Sequence, residues 1–510
     1  MQIHLLCATG LLAALAFWLS SSLKKRRNGH PLPPGPRRLP VIGNLLDIPR
    51  EKGHIVYRDW GLKYGSDVLH VDTLGGDLII VNSARAADDL FNKRSSLYSD
   101  RPIFSAINDL LDYGWMLGFT PYGLRWRRMR KAFHTHFHRD AARAFEPIEE
   151  QAVHRFLREM LVTPEDYNGH LRHLAGYVII KIAYGVEVCG RNDPDVLLAE
   201  EAASWVQRAV LFEGAIFDIF PILQRLPAWF SGAGFKRVAA EVRHVSDDAR
   251  NIPWERTKSA VENGSSSHSV AAALMQTEDE DISKSVPATM YMAGADTTVS
   301  SAISFILAMV LNPGIQAKAQ EELDSVLGGA RLPTFADKDS LPYVTAIAKE
   351  ALRWHPVVPL GVPHKLIQDD IYNGYFIPGG SAVIGNVWAI LHDPSTYPSP
   401  SSFLPEHFIY QSQGGLLPDN APDFPDAAFG FGRRNCPGRY MAYSSVWLTV
   451  ACLLAVFEIR RAKDGMGKEV EIIEEYCDGL VSFPVSFRCE IKPRSEAARA
   501  LVLATSPAEA

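Results

Sequence analysis

Cysteine is scarce in this chain. Six residues, Cys7, Cys189, Cys436, Cys452, Cys477 and Cys489, are scattered over 510 positions, and no Cys-x-x-Cys pair occurs. That excludes a zinc ribbon and a disulfide framework, and it points to a reducing compartment. A large excess of either charge is lacking too: 52 Lys and Arg against 58 Asp and Glu leave a formal net charge of −6. Nothing in that balance suits nucleic acid. Internal repeats, charged tails and flavin or nicotinamide motifs are absent. A hydrophobic content of 47% with 22% charged residues is that of an ordinary globular protein. The length allows one large core.

Long apolar runs are rare, and the first is terminal. Residues 3–23 are mostly apolar, with Phe17 and Trp18 near the far end and Lys24-Lys25-Arg26-Arg27 directly after. Such a run can just cross a bilayer. A cleavable signal would carry its positive charges in front of the apolar stretch, and none precede it. The positive-inside rule then puts the N-terminus in the lumen and the body in the cytosol. Pro31-Leu32-Pro33-Pro34-Gly35-Pro36 reads as a stiff spacer. The expected division is an anchor helix over 1–23, a basic and Pro-rich linker over 24–36, and a catalytic domain over 37–510. Asn263-Gly264-Ser265 matches a glycosylation acceptor that a cytosolic body leaves unmodified.

Helical patterns dominate up to about residue 360. The longest predicted helix, 288–311, is apolar and ends at Asn312-Pro313. A second covers 341–354, with Ser340 as N-cap and Pro342 in its first turn. Strand-like runs appear at 68–73, 77–81, 372–377 and 381–385, with turns at Asn373-Gly374 and Pro378-Gly379-Gly380. The fold class is therefore mainly α with small β-sheets.

The most informative segment is Phe429-Gly430-Phe431-Gly432-Arg433-Arg434-Asn435-Cys436-Pro437-Gly438. It presents one cysteine in a glycine-bearing loop, with an arginine two residues before and an aromatic seven before. That arrangement suits a thiolate offered to heme iron, where it favours O–O cleavage. Gly432 and Gly438 let the backbone approach a flat macrocycle. Backbone N–H groups can keep the sulfur ionised. Arg434 can pair with a heme propionate and Phe429 can pack near the sulfur. The spacing Phe-x-x-Gly-x-Arg-x-Cys-x-Gly resembles that of the cytochrome P450 family of heme-thiolate monooxygenases.

Other segments agree with that resemblance. Glu350-Ala351-Leu352-Arg353 places a carboxylate and a guanidinium on one helix face. In the family this pair braces the core beneath the heme. Its third partner comes from a segment matched here by Phe403-Leu404-Pro405-Glu406-His407-Phe408, where Glu406 counts as structural and His407 stands at the usual arginine. Ala293-Gly294-Ala295-Asp296-Thr297-Thr298 sets an acid–alcohol pair inside the long apolar helix. Thr297 can donate to bound oxygen and Asp296 can relay protons. Trp126 and Arg130 share a helix face and match residues that hold a heme propionate, and His364 stands at another propionate position. Arg125, Arg127, Arg128 and Lys131 form a candidate docking patch for an acidic electron donor. Substrate contacts are expected from Phe104, Ile107, Leu117, Phe119, Ala293, Val358, Leu360, Val362 and Val481, nearly all apolar, which favours an apolar substrate. The segment 212–230, rich in aromatics and prolines, is a candidate membrane-facing entrance.

The resemblance implies a cytochrome P450 fold preceded by one transmembrane helix, single-pass in the endoplasmic reticulum membrane with a cytosolic catalytic domain. It implies heme b (iron protoporphyrin IX) held axially by Cys436, O2, and NADPH electrons from a separate cytochrome P450 reductase. One oxygen atom enters the substrate and the other leaves as water. The stretch from Val362-Pro363-His364-Lys365 through Asp369 to Pro378 is similar to fungal, basidiomycete-type secondary-metabolism members related to O-methylsterigmatocystin oxidoreductase and to tryptamine hydroxylases. The implied substrate is a small hydrophobic natural product, a terpenoid first and an indole or polyketide second. A heme-thiolate isomerase or dehydratase is the alternative chemistry.

Overall fold

The computed structural model describes residues 29–505, apart from 74–75, 189, 191, 211–233, 265–267, 420 and 422. The anchor run, the basic cluster and the 212–230 segment therefore lie outside the described residues. The longer helices are α1 (Gly53–Tyr64), α2 (Leu124–Phe137), α3 (Glu146–Val162), α4 (Tyr167–Tyr184), α5 (Pro194–Val210), α6 (Phe235–Glu262), α7 (Val270–Thr277), α8 (Glu280–Leu311), α9 (Pro313–Leu327), α10 (Pro342–Trp354), α11 (Arg439–Val456) and α12 (Glu496–Leu503). Helix dominates and the sheets are small, as the sequence predicts.

α8 is the spine. Its first half packs into one apolar cluster with α2, α4, α5 and α6. Its second half joins a second cluster with α3, α10 and α11. Two described helices, α8 and α11, are long and apolar enough to cross a bilayer, but both are largely buried in the body. α8 starts eight residues earlier than the apolar pattern suggests. Asp279 caps it by accepting from Ile282 N at 3.0 Å. Arg125 and Arg128 of α2 hold the polar first turn by pairing with Asp281, Glu278 and Asp279.

The strands are β1 (Val68–Thr73), β2 (Gly76–Val81), β3 (His364–Lys365), β4 (Asp370–Tyr372), β5 (Tyr375–Ile377), β6 (Ala382–Gly385), β7 (Phe457–Arg461) and β8 (Cys489–Pro493). β1, β2, β6 and β3 form one sheet in that order, with β2 and β6 parallel. The run expected as one strand over 372–377 is the second half of a hairpin. Asn373 and Gly374 both have positive φ, 50° and 81°, which reverses the chain between β4 and β5. The proline segment is not a free spacer. Pro31 O and Pro34 O accept from Phe376 N and His70 N at 2.7 and 3.0 Å, so it lies along the sheets.

α10 lacks the predicted Ser340 cap. Leu341 occupies the N-cap, and Glu322 of α9 accepts from Tyr343 N and Val344 N, both at 2.9 Å. A distant carboxylate thus satisfies the orphan donors of this helix. Glu322→Ala should cost about 1 kcal/mol of stability, as loss of a cap does, measured as a lowered denaturation midpoint.

Candidate active site

α8 and α11 both line a cavity of about 370 Å³. Cys436, at the end of a loop over 426–438, forms part of its wall. Cys436 N donates to Phe429 O at 2.7 Å, which closes the loop, and the Phe429 ring stacks on Phe424. Burial pushes the Cys436 thiol up, while Gly438 N–H, Arg130 and Arg439 pull the other way. The glycines divide their work differently from expectation. Gly432 has φ +56°, and a Cβ there would stand 2.0 Å from Phe91 O. It is needed to pack the loop onto the 88–93 helical turn, not to approach a macrocycle. A Cβ on Gly438 would meet nothing within 4 Å, so its cavity side is open.

One wall collects cations. Arg101, Arg130, Arg434 and His364 all line the cavity. Arg434 donates to Ser99 O at 2.7 Å and Thr120 O at 3.0 Å, and its Nη2 is buried without a partner. Its guanidinium lies 4.4 Å from the Trp126 ring centroid. Arg101 donates to Gly118 O, Val362 O and Pro363 O, and Arg130 to Asn435. None of these arginines has a carboxylate in ion-pair range among the described residues. Burial, with help from Arg130, brings Arg434 down to about 10 against the pull of Asp100. Burial and then Arg434 push Arg101 well below its ordinary value. Buried cations that repel one another need an anion. A heme carries two carboxylates, so these residues fit it.

His364 behaves less like a cation than the sequence suggests. Its Nδ1 donates to Tyr98 O at 2.7 Å. Burial and Arg101 push it well below 6.5, which leaves it neutral. Arg101 supplies the charge in that wall. The sequence holds no local sign of this, because Asp100-Arg101-Pro102 reads equally well as a surface turn.

The acid–alcohol pair is split between two surroundings. Thr297 lines the cavity and donates to Ala293 O at 2.8 Å. Asp296 is buried beside it but turned away, accepting from Arg172 of α4 at 2.8 Å and Gln207 of α5 at 3.1 Å. Gly294 has a packing use: a Cβ there would stand 2.9 Å from Ile179 of α4. Of the expected substrate contacts, Leu117, Ala293, Val358 and Val362 line the cavity. Phe104 and Phe119 instead pack edge to face, Leu360 joins the β1–β2 cluster, and Ile107 and Val481 are buried elsewhere.

The brace on α10 is complete. Arg353 Nε and Nη2 each donate to Glu350 at 2.7 Å, and Arg353 continues to Leu391 O and Ser402 O. His407, not Glu406, is the third member. Its Nδ1 lies 3.1 Å from Glu350 Oε1 and its Nε2 2.7 Å from Pro398 O. Glu406 points elsewhere, to Lys318 at 2.9 Å and the Tyr343 hydroxyl. The proposed docking patch is thinner than its sequence, since Arg125 and Arg128 are spent on α8. Arg353→Ala strands the buried Glu350 charge, at about 3–5 kcal/mol. The expected result is loss of heme incorporation, read from the carbon monoxide spectrum; full heme content would refute the bracing role.

Comparison with known proteins agrees with this geometry. The family model described as Cytochrome P450 matches residues 33–476. A cytochrome P450 monooxygenase of Armillaria gallica is 41% identical over 498 residues, covering 96% of each chain. One from Coprinopsis cinerea is 39% identical over 505 residues, covering 96% of this chain and 97% of its own. A tryptamine 4-monooxygenase of Psilocybe cyanescens is 37% identical over 497 residues, covering 95% and 97%. A cysteine loop in the cavity wall, a cationic wall and a braced helix thus stand in a chain aligned over nearly its whole length with fungal monooxygenases: it belongs to the cytochrome P450 family.

Proposed function

We propose that this enzyme inserts one oxygen atom into a small, uncharged, apolar natural product, a terpenoid of fungal secondary metabolism. Members of this family use a heme-thiolate, O2 and electrons from a partner reductase. When bound, the heme activates dioxygen; the chain supplies ligand, orientation and proton path. Cys436 would ligate the iron. Arg101, Arg130, Arg434 and Trp126 would hold the propionates, with His364 as a neutral neighbour and Phe429 and Gly438 shaping the loop. NADPH supplies two electrons through the reductase, and the second oxygen atom leaves as water.

The observation that carries the substrate class is the wall formed by Leu117, Met290, Ala293, Val358 and Val362. An amine such as tryptamine would need a carboxylate. Among the described lining residues Glu149 is the sole carboxylate, and serine hydroxyls of α11 occupy it. The likeness to a tryptamine 4-monooxygenase supports the indole reading as second. The anchor, the endoplasmic reticulum location and the 1–23, 24–36 and 37–510 division are part of the same proposal, supported by the apolar run and the basic cluster behind it.

Thr297 would hold a proton at Oγ1, released to the site when the hydroxyl turns from Ala293 O. Asp296 would exchange protons with solvent through the Arg172 and Gln207 side. Thr297→Ala should then divert electrons to peroxide and lower product per NADPH several-fold; unchanged coupling would contradict the role. Microsomes holding the enzyme and a fungal reductase, offered terpene, indole and polyketide scaffolds, should give NADPH-dependent gain of one oxygen on terpenes. Gain on indoles alone would move the second reading to first place.

A further inference from the structure

One buried acid in the cavity wall neither faces the cationic wall nor joins the Asp296–Thr297 pair. Glu149 lies in the first turn of α3 and is 1% exposed. Its carboxyl group meets two hydroxyls of α11. Ser444 Oγ stands 2.9 Å from Oε2, and Ser445 Oγ bonds Oε1. A proton count shows what the neutral acid allows. A hydroxyl has one hydrogen. Ser444 Oγ lies 3.0 Å from Oε1 as well and 2.8 Å from Met441 O, which accepts only. With Glu149 protonated, the Ser444 hydrogen goes to Met441 O and Ser444 receives one from the acid. The closed chain runs from Ser445 Oγ–H to Oε1, from Oε2–H to Ser444 Oγ, and from Ser444 Oγ–H to Met441 O. Ionised Glu149 would break the middle link and leave a charge shut away from water.

The helix it grips is the one that follows the cysteine. α11 starts three residues after Cys436, and its Met441, Ala442 and Ser445 line the cavity with Cys436. We propose that Glu149, as a neutral carboxylic acid, is a positioning residue for the thiolate loop, fixing the first turns of α11 against α3 through Ser444 and Ser445. This rests on the reading of Cys436 as the iron ligand.

The surroundings favour the neutral acid. Burial raises the Glu149 carboxyl to about 8, the two serines oppose this, Glu146 on the same helix adds to it, and Lys338 opposes it. Lys338, on the turn over 335–340, is itself brought down to about 8, by burial and then by Lys349, with Asp339, Glu146 and Glu149 acting against that. It lies 4.0 Å from the Tyr443 ring centroid. The other titratable groups packed near α3 have partners of their own: His170 and His173 of α4 pair with Glu159, and Arg158 binds Thr505 beside α12. An acid that titrates above its ordinary 4.5 when folded contributes fully below that value, and the contribution is lost as pH rises through about 8.

The test compares reduced carbon monoxide spectra of wild-type holoenzyme and Glu149→Gln from neutral to alkaline pH. The amide of the E149Q variant would donate to Ser444 and accept from Ser445 at every pH. Wild type should lose thiolate-ligated heme as pH rises through about 8. In E149Q the midpoint should move up by about one unit or more, tenfold in proton affinity. Ser444→Ala, which removes the acceptor of the acid proton, should move it down. Identical profiles for wild type and E149Q would overturn the inference. Absence of a thiolate-type spectrum from wild type at every pH would overturn the heme-thiolate reading instead.

Discussion

Arg353 grips both oxygens of Glu350 at a point where neither side chain is exposed at all. An ion pair there is tolerable only because every remaining group is satisfied: His407 and Leu404 N complete the carboxylate, and Leu391 O and Ser402 O complete the guanidinium. The pair therefore ties α10 to the end of the short helix Val387–Leu391 and to the chain over 402–407. Those stretches lead without a long helix or strand into the 426–438 loop, so the position of Cys436 depends on a knot tied some eighty residues earlier.

Cations set the other boundary of the site. Arg101, Arg130 and Arg434 come from three separate parts of the chain and meet at one wall. Carbonyl oxygens hold each of them in place while leaving the charge uncompensated. On the opposite side the lining is almost wholly apolar. A cavity charged at one end and greasy at the other would suit an amphiphilic macrocycle, its carboxylates held by Arg101, Arg130 and Arg434. It also leaves a substrate only dispersion and shape to recognise.

Much of this was legible from local pattern. Short spacings fix the thiolate loop, the Glu350–Arg353 pair and the Trp126–Arg130 face, because each is one turn of backbone. The extent of α8 was less legible, since its first eight residues are polar and are held by Arg125 and Arg128 across space. The same pairing hides in the sequence as a basic patch. Glu406 and His407 are neighbours, and only the 3-10 turn over 405–408 decides which one faces inward. Asp296 and Thr297 are also neighbours, yet 100° of helix rotation sends one to α4 and α5 and the other to the cavity. Arg101, Glu149 and the cap from Glu322 act through contacts far along the chain, which no short window contains.

The cationic wall also makes the cofactor a structural member. A ligand that binds only the folded chain adds to its stability by mass action, and heme held here would neutralise charges the fold has already enclosed. Heme supply then acts as a folding variable: a cell short of it would hold less of this protein, not merely less active protein, and abundance would follow porphyrin synthesis without any dedicated regulator.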